Sequence, residues 1–67
     1  MSVTTRVKQL RLSLGLTQLE LSQKSGVPVQ TISRYENDHA TRFDADVLDR
    51  LSQALQVEPG FLLVRKG

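Results

Sequence analysis

A single all-α domain of five helices is what this 67-residue chain predicts, and three observations predict it. Apolar residues recur at three- and four-residue spacing, as on a helix face, and no segment reads as a strand. Glycine and proline punctuate that periodicity: Gly15, Gly26 and Gly60 stand where it breaks, Pro28 and Pro59 where it resumes. Residues suited to capping helices precede two of the periodic segments.

The elements follow in order. Val3, Val7, Leu10 and Leu14 recur at helical spacing, and Gly15 offers a left-handed stop. In Leu16-Thr17-Gln18-Leu19-Glu20-Leu21, Thr17 with Glu20 fits a capping box, and Leu16 with Leu21 fits the hydrophobic staple around it. This second helix runs to Ser25 and stops at Gly26, hardly more than two turns. A third starts at Pro28, whose missing N–H is not needed in a first turn. On its wheel Ile32 and Tyr35 share one face with Glu36 beside them, while Gln30, Ser33, Arg34 and Asn37 cluster opposite. Asn37-Asp38-His39 ends it, because Asn tolerates the left-handed conformation. Asp44 caps a fourth helix, 45–56, with Val47, Leu48, Leu51, Ala54 and Leu55 turned inward. Glu58-Pro59 opens a last short turn through Phe61 and Leu62.

Length and composition exclude several classes. The chain makes one domain, residues 1–67, with no Cys for disulfides or a thiolate metal site. No apolar run approaches the ~20 residues of a bilayer span, and nothing reads as a secretory signal. The expected location is the cytoplasm of a bacterial, archaeal or phage-infected cell. A deep catalytic cleft needs walls that so small a core does not supply. His39 is the single His, so no His-based catalytic or metal constellation assembles. Asp44, Asp46 and Asp49 read as a cap and dipole partners of the fourth helix. No enzyme and no cofactor are expected; the chain acts by binding.

Charge is uneven. The net charge is only +2, with a pI near 9.5. Residues 1–42 carry +3, residues 43–60 carry −3, and Arg65 and Lys66 follow. A polyanion meets the first part rather than the second.

Two short helices joined by a glycine turn form the helix-turn-helix unit, whose second helix enters the DNA major groove. Residues 18–37 fit it, with Gly26 in the turn, Ser22 at the helix crossing, and Leu21, Val27, Ile32 and Tyr35 buried. The stretches RVKQLRLSLGLTQLELSQKSGV, TISRYEN and LSQALQVEP resemble the Cro/CI (XRE) family of lambdoid phage repressors. The likeness covers residues 5–63, and Thr17-Gln18 and Ile32-x-x-Tyr35-Glu36-Asn37 are its most specific parts. It implies a five-helix, lambda-repressor-like domain that binds operator DNA and regulates transcription. The chain departs from the family at Ser25, Pro28, Asp38 and Gln56, none of them a DNA-contacting position.

The third helix presents Gln30 and Arg34 one turn apart, with Val29 and Ser33 flanking. Gln pairs with adenine, Arg reads guanine, and apolar groups suit the thymine methyl. The resemblance implies base contacts at Val29, Gln30 and Arg34. Phosphate contacts form a second set: the second helix opens with free backbone donors and Gln18, and Thr31 and Asn37 flank the third. Arg42, before Phe43, resembles an arginine that similar repressors direct into a narrowed minor groove; an exposed loop arginine is the equal alternative. Glu36 lies on the inward stripe, where a bare carboxylate is costly, and Arg11 lies at the margin of the first helix's apolar face. The family carries an Arg–Glu pair at these positions, which implies an ion pair tying the first helix to the third.

These readings converge on a sequence-specific double-stranded DNA-binding transcriptional regulator, a repressor in sense, bound to its operator as a homodimer. The size fits a stand-alone domain of the Cro type or a domain of a longer repressor. Phe61, Leu63 and Val64 form an apolar group near the end that is core, dimer contact or both. Two rivals are an antitoxin, which binds its own operator and a protein toxin, and a protein-binding helical adaptor.

Overall fold

The computed structural model describes residues 2–37 and 42–66, with side chains from 4 to 65 within those spans. It contains the five expected helices: α1 (Val7–Ser13), α2 (Gln18–Ser25), α3 (Val29–Glu36), α4 (Ala45–Leu55) and α5 (Pro59–Leu62). They bury one core, made of Val7, Leu21, Val27, Ile32, Tyr35, Leu48, Leu51, Ala54, Leu55 and Leu62. Every helix contributes to it, and each depends on that packing, since helices of 4 to 11 residues are marginal alone in water.

The expectation of no strand is corrected. Strands β1 (Ser2–Thr5) and β2 (Leu63–Lys66) pair antiparallel, with Thr5 opposite Leu63 and Ser2 opposite Lys66. Val3, Thr4 and Thr5 are β-branched and suit a strand. Four residues at each end carry too little pattern to announce a pair that forms only when the fold brings both ends together. Val3 therefore leaves the helical stripe, and α1 begins at Val7. Leu14 leaves it too: it is the C-cap of α1 and largely exposed.

The junction between β1 and α1 is held by Arg6. Its N–H donates to the Leu62 carbonyl at 2.8 Å, its Nη1 to the Phe61 carbonyl at 2.9 Å, and its guanidinium lies 4.2 Å over the Phe61 ring. Thr5 Oγ1 donates to the Tyr35 carbonyl at 2.9 Å, which fastens β1 to α3.

Local signals at the other helix ends behave as expected, with three differences. Gly15 (φ 71°) and Gly26 (φ 76°) both take the left-handed conformation. Asp44 Oδ1 accepts from the N–H groups of Asp46 and Val47 and caps α4. Pro28, however, is the N-cap of α3 rather than its first helical residue. Asn37 ends α3 at φ −102°, not left-handed, with its side chain turned back to Ser33; Asp38 and His39 lie outside the described residues. Gln56, where a glycine is favourable, carries φ 63° at the end of α4. That conformation costs a non-glycine residue about 1–2 kcal/mol.

Candidate nucleic-acid interface

The candidate interface is built from α2, the turn Gly26-Val27-Pro28 and α3. The start of α2 is set by the capping box. Thr17 Oγ1 accepts from the Glu20 N–H at 3.0 Å, and Glu20 Oε1 accepts from the Thr17 N–H at 2.8 Å. The Leu21 N–H bonds to the Thr17 carbonyl. The N–H groups of Gln18 and Leu19 have no partner among the described residues, so two donors face outward at the positive end of the helix dipole. Glu20 offsets part of that positive charge.

The turn is dictated by Gly26 and Val27. Gly26 needs its positive φ, and a Cβ there meets Arg50 Nη1 at 3.4 Å. Val27 is buried and pins the turn to the core. The path then enters α3, where Ile32 and Tyr35 anchor the inner face. Tyr35 packs edge-on against Phe43, with ring centroids 5.2 Å apart, and its hydroxyl accepts from the Asp44 N–H at 3.0 Å. Rotation of α3 about its axis is thereby fixed.

That rotation exposes three of the four residues expected on the outer face and half-buries Ser33. Gln30, Arg34 and Asn37 are exposed, while Val29, Thr31 and Ser33 are half-buried. Neither Gln30 nor Arg34 hydrogen-bonds to another side chain among the described residues. Asn37 Nδ2 donates to Ser33 Oγ at 3.1 Å, which ties two members of the set together. Arg42 is exposed, and with Thr31, Arg34, Tyr35, Phe43, Asp44 and Val47 it lines a concavity of about 420 Å³ beside α3. Arg34, expected to read bases, and Arg42, expected either in the minor groove by resemblance or as an exposed loop arginine, thus share one hollow. A sequence does not reveal this, because seven residues intervene.

The Arg11–Glu36 pair is present. Arg11 Nε donates to Glu36 Oε2 at 2.7 Å and Nη2 to Oε1 at 3.1 Å, with side chains 10% and 2% exposed. The pair holds the arginine pKa above its ordinary value, first through the hydrogen bond to Glu36, against an opposing loss of hydration. Arg11 Nη1 also donates to the Leu16 carbonyl at 2.8 Å, just before the cap of α2. One contact escaped the sequence reading: Gln18 Nε2 donates to Glu36 Oε1 at 3.1 Å. Gln18 therefore belongs both to the outward start of α2 and to the buried pair.

The remaining expectations concern the far end and the surface. Phe61 is 48% exposed and Leu63 36%, and Val64 is half-buried. None of the three is among the core residues, a position taken by Leu62. A second concavity, about 590 Å³, lies beside Phe61 and is lined by Ser52, Gln53, Gln56, Val57 and Glu58. Leu12 and Leu19 are more than half exposed, on either side of the turn between α1 and α2. Among the described residues no group of His, Cys, Asp or Glu could hold a metal, and no helix is long and apolar enough to cross a membrane.

Comparison with known proteins matches this geometry to a family. A family model described as "Helix-turn-helix" matches residues 7–62, from the start of α1 to the end of α5. The fold is similar to the crystal structure of "a putative DNA-binding protein from Bacteroides fragilis", with a TM-score of 0.79. That likeness covers 94% of this chain and 100% of the other at 24% identity, and so concerns the fold. With the family model spanning all five helices and the capped α2–Gly26–α3 unit at its centre, the chain belongs to the helix-turn-helix family, as a DNA-binding domain of the XRE type.

Proposed function

We propose that this protein is a sequence-specific transcriptional regulator, a repressor, that reads operator DNA with α3 as a dimer assembled on the duplex. The observation that carries this reading is the outer face of α3. Gln30 and Arg34 stand one turn apart, exposed and without side-chain partners among the described residues, on a helix whose rotation Ile32, Tyr35 and Phe43 fix. Side chains held that way are presented to base edges in the major groove without first being freed from other bonds. Val29 and Ser33 flank them and complete the base-reading set. Gln18, Thr31, Asn37 and Arg42 supply backbone or minor-groove contacts, which orient the domain without reading sequence. The resemblance to phage repressors supports repression as the sense of regulation.

A single recognition helix reads too few base pairs to mark one site in a genome. Two copies related by a two-fold axis, with α3 in successive major grooves about 34 Å apart, solve that problem. Exposed Phe61 and Leu63, with Val64, are the contact we assign to the second copy. The patch is small, so the dimer forms on DNA rather than free in solution.

Selection of bound sequences from random DNA tests the reading. The expected product is a pseudo-palindrome whose half-sites lie one helical turn apart. Binding to it is cooperative, and moving the half-sites by about half a turn abolishes that cooperativity. Tight, specific binding to an isolated half-site, indifferent to spacing, contradicts the dimer. Recovery of no common sequence contradicts base reading altogether.

A further inference from the structure

Glu36 does more than one ion pair requires. Its carboxylate is 2% exposed and takes three donors from two other helices. Oε2 accepts from Arg11 Nε at 2.7 Å, and Oε1 accepts from both Arg11 Nη2 and Gln18 Nε2 at 3.1 Å. Arg11 alone already supplies the two-pronged contact that a buried carboxylate needs. The third donor comes from the first residue of α2, beside the unpartnered N–H groups of Gln18 and Leu19. Arg11 meanwhile holds the Leu16 carbonyl at 2.8 Å, one residue before the cap of that helix. The buried pair therefore grips the start of α2 at two points, from a carboxylate that sits in the last turn of α3.

We infer that Glu36 is a positioning residue for the DNA interface: it holds Gln18 in the orientation that meets a backbone phosphate and fixes that contact relative to α3. A glutamine amide carries two N–H groups on one planar nitrogen. One is spent on Glu36, so the other is directed away from the carboxylate at a set angle. A free glutamine side chain samples many rotamers and loses that freedom on binding; a tethered one has lost it already, on folding. Because the tether starts from α3, the phosphate contact and the base-reading face are held by the same group. This inference rests on the DNA-binding reading above and names how one of its contacts is prepared.

A thermodynamic cycle on DNA affinity tests it. Glu36→Ala leaves Arg11 buried and unpaired and threatens the fold, so the variant of choice is Arg11→Met/Glu36→Leu, since apolar replacement of a buried pair is often tolerated. Wild type, Gln18→Ala, the Met/Leu variant and the triple variant are titrated on the selected operator and on random DNA, at a temperature where melts show all four folded. Gln18→Ala is expected to weaken both DNAs by about three- to tenfold, the range of one lost hydrogen bond. The Met/Leu variant is expected to lose a similar factor, and the triple variant no more than either within about twofold, since both changes remove one prepared contact.

A second measurement needs no DNA. In the free protein one Gln18 Nε2 proton is expected to be shifted away from its ordinary amide position by the bond to Glu36, and to return to that position in the Met/Leu variant. Losses that multiply in the triple variant overturn the inference, as does wild-type affinity in the Met/Leu variant while Gln18→Ala binds weakly. Either result leaves DNA binding itself standing. An unchanged Gln18→Ala overturns the phosphate contact. A wild type without DNA affinity removes the reading beneath the inference, and the inference falls with it.

Discussion

The helix-turn-helix and the ribbon that joins the two ends of the chain are built by opposite means. Within α2–Gly26–α3 each boundary has a cause within a few residues: the Thr17–Glu20 box at the start, Gly26 in the turn, Ile32 and Tyr35 on the inner face. The ribbon has none. Thr5 and Leu63 pair across 58 positions, with all five helices lying between them in the chain. Local interactions define a unit cheaply, whereas nonlocal pairing is stable only once the rest of the fold has closed the loop for it. The proposed base-reading face lies on the locally defined unit, and the proposed self-association contact lies on or beside the ribbon.

That contrast breaks first at Glu36, where the helix-turn-helix depends on a long-range contact after all. Glu36→Ala strands the Arg11 guanidinium in a buried site, with an expected loss of about 3–5 kcal/mol. Asp46→Ala removes the exposed partner of Arg50 and is expected to cost under about 1 kcal/mol. Denaturant midpoints of the two variants give the comparison, and equal midpoints contradict the burial of the pair.

Hydrogen exchange sharpens the same contrast without mutation. Amides of Ile32 and Tyr35, in the core of α3, are expected to exchange only through global unfolding. That of Val64, which faces Thr4 across the ribbon, is expected to open with a free energy about 2 kcal/mol smaller, as short terminal pairs fray. Equal protection would mean that the ribbon and the core unfold as one unit.

A smaller effect sits at the end of α4. Gln56 occupies φ 63°, so Gln56→Gly relieves the left-handed strain at some cost in chain entropy. A net stabilisation of about 0.5–1 kcal/mol is expected from those two opposing effects. A thermal melt reads it, and a destabilised variant would show that the Gln56 side chain earns its place by packing.

The legible and illegible parts of this chain follow the same division. Thr17, Glu20, Gly15, Gly26 and Asp44 act on neighbours within four residues, so their roles are visible in a string of letters. Gln30 and Arg34 are legible for the same reason, since a helical wheel places them once Ile32 and Tyr35 are known to be inside. Glu36 was legible as a misplaced charge, and its partner Arg11 through family resemblance. The Gln18–Glu36 bond and the hollow shared by Arg34 and Arg42 were not, because each depends on how separate elements meet. Val3 was misread as helical because one β-branched residue at the right spacing satisfies either period until its partner strand is known.

The measurement that bears most directly on function compares wild type with Arg34→Ala on two DNAs at one salt concentration: the selected operator and a random duplex. If Arg34 reads a base from the fixed face of α3, the variant loses about 1–3 kcal/mol on the operator, far less on random DNA, and relaxes its preference at one base pair. An equal loss on both would make Arg34 a phosphate contact and contradict base reading by this helix at that position.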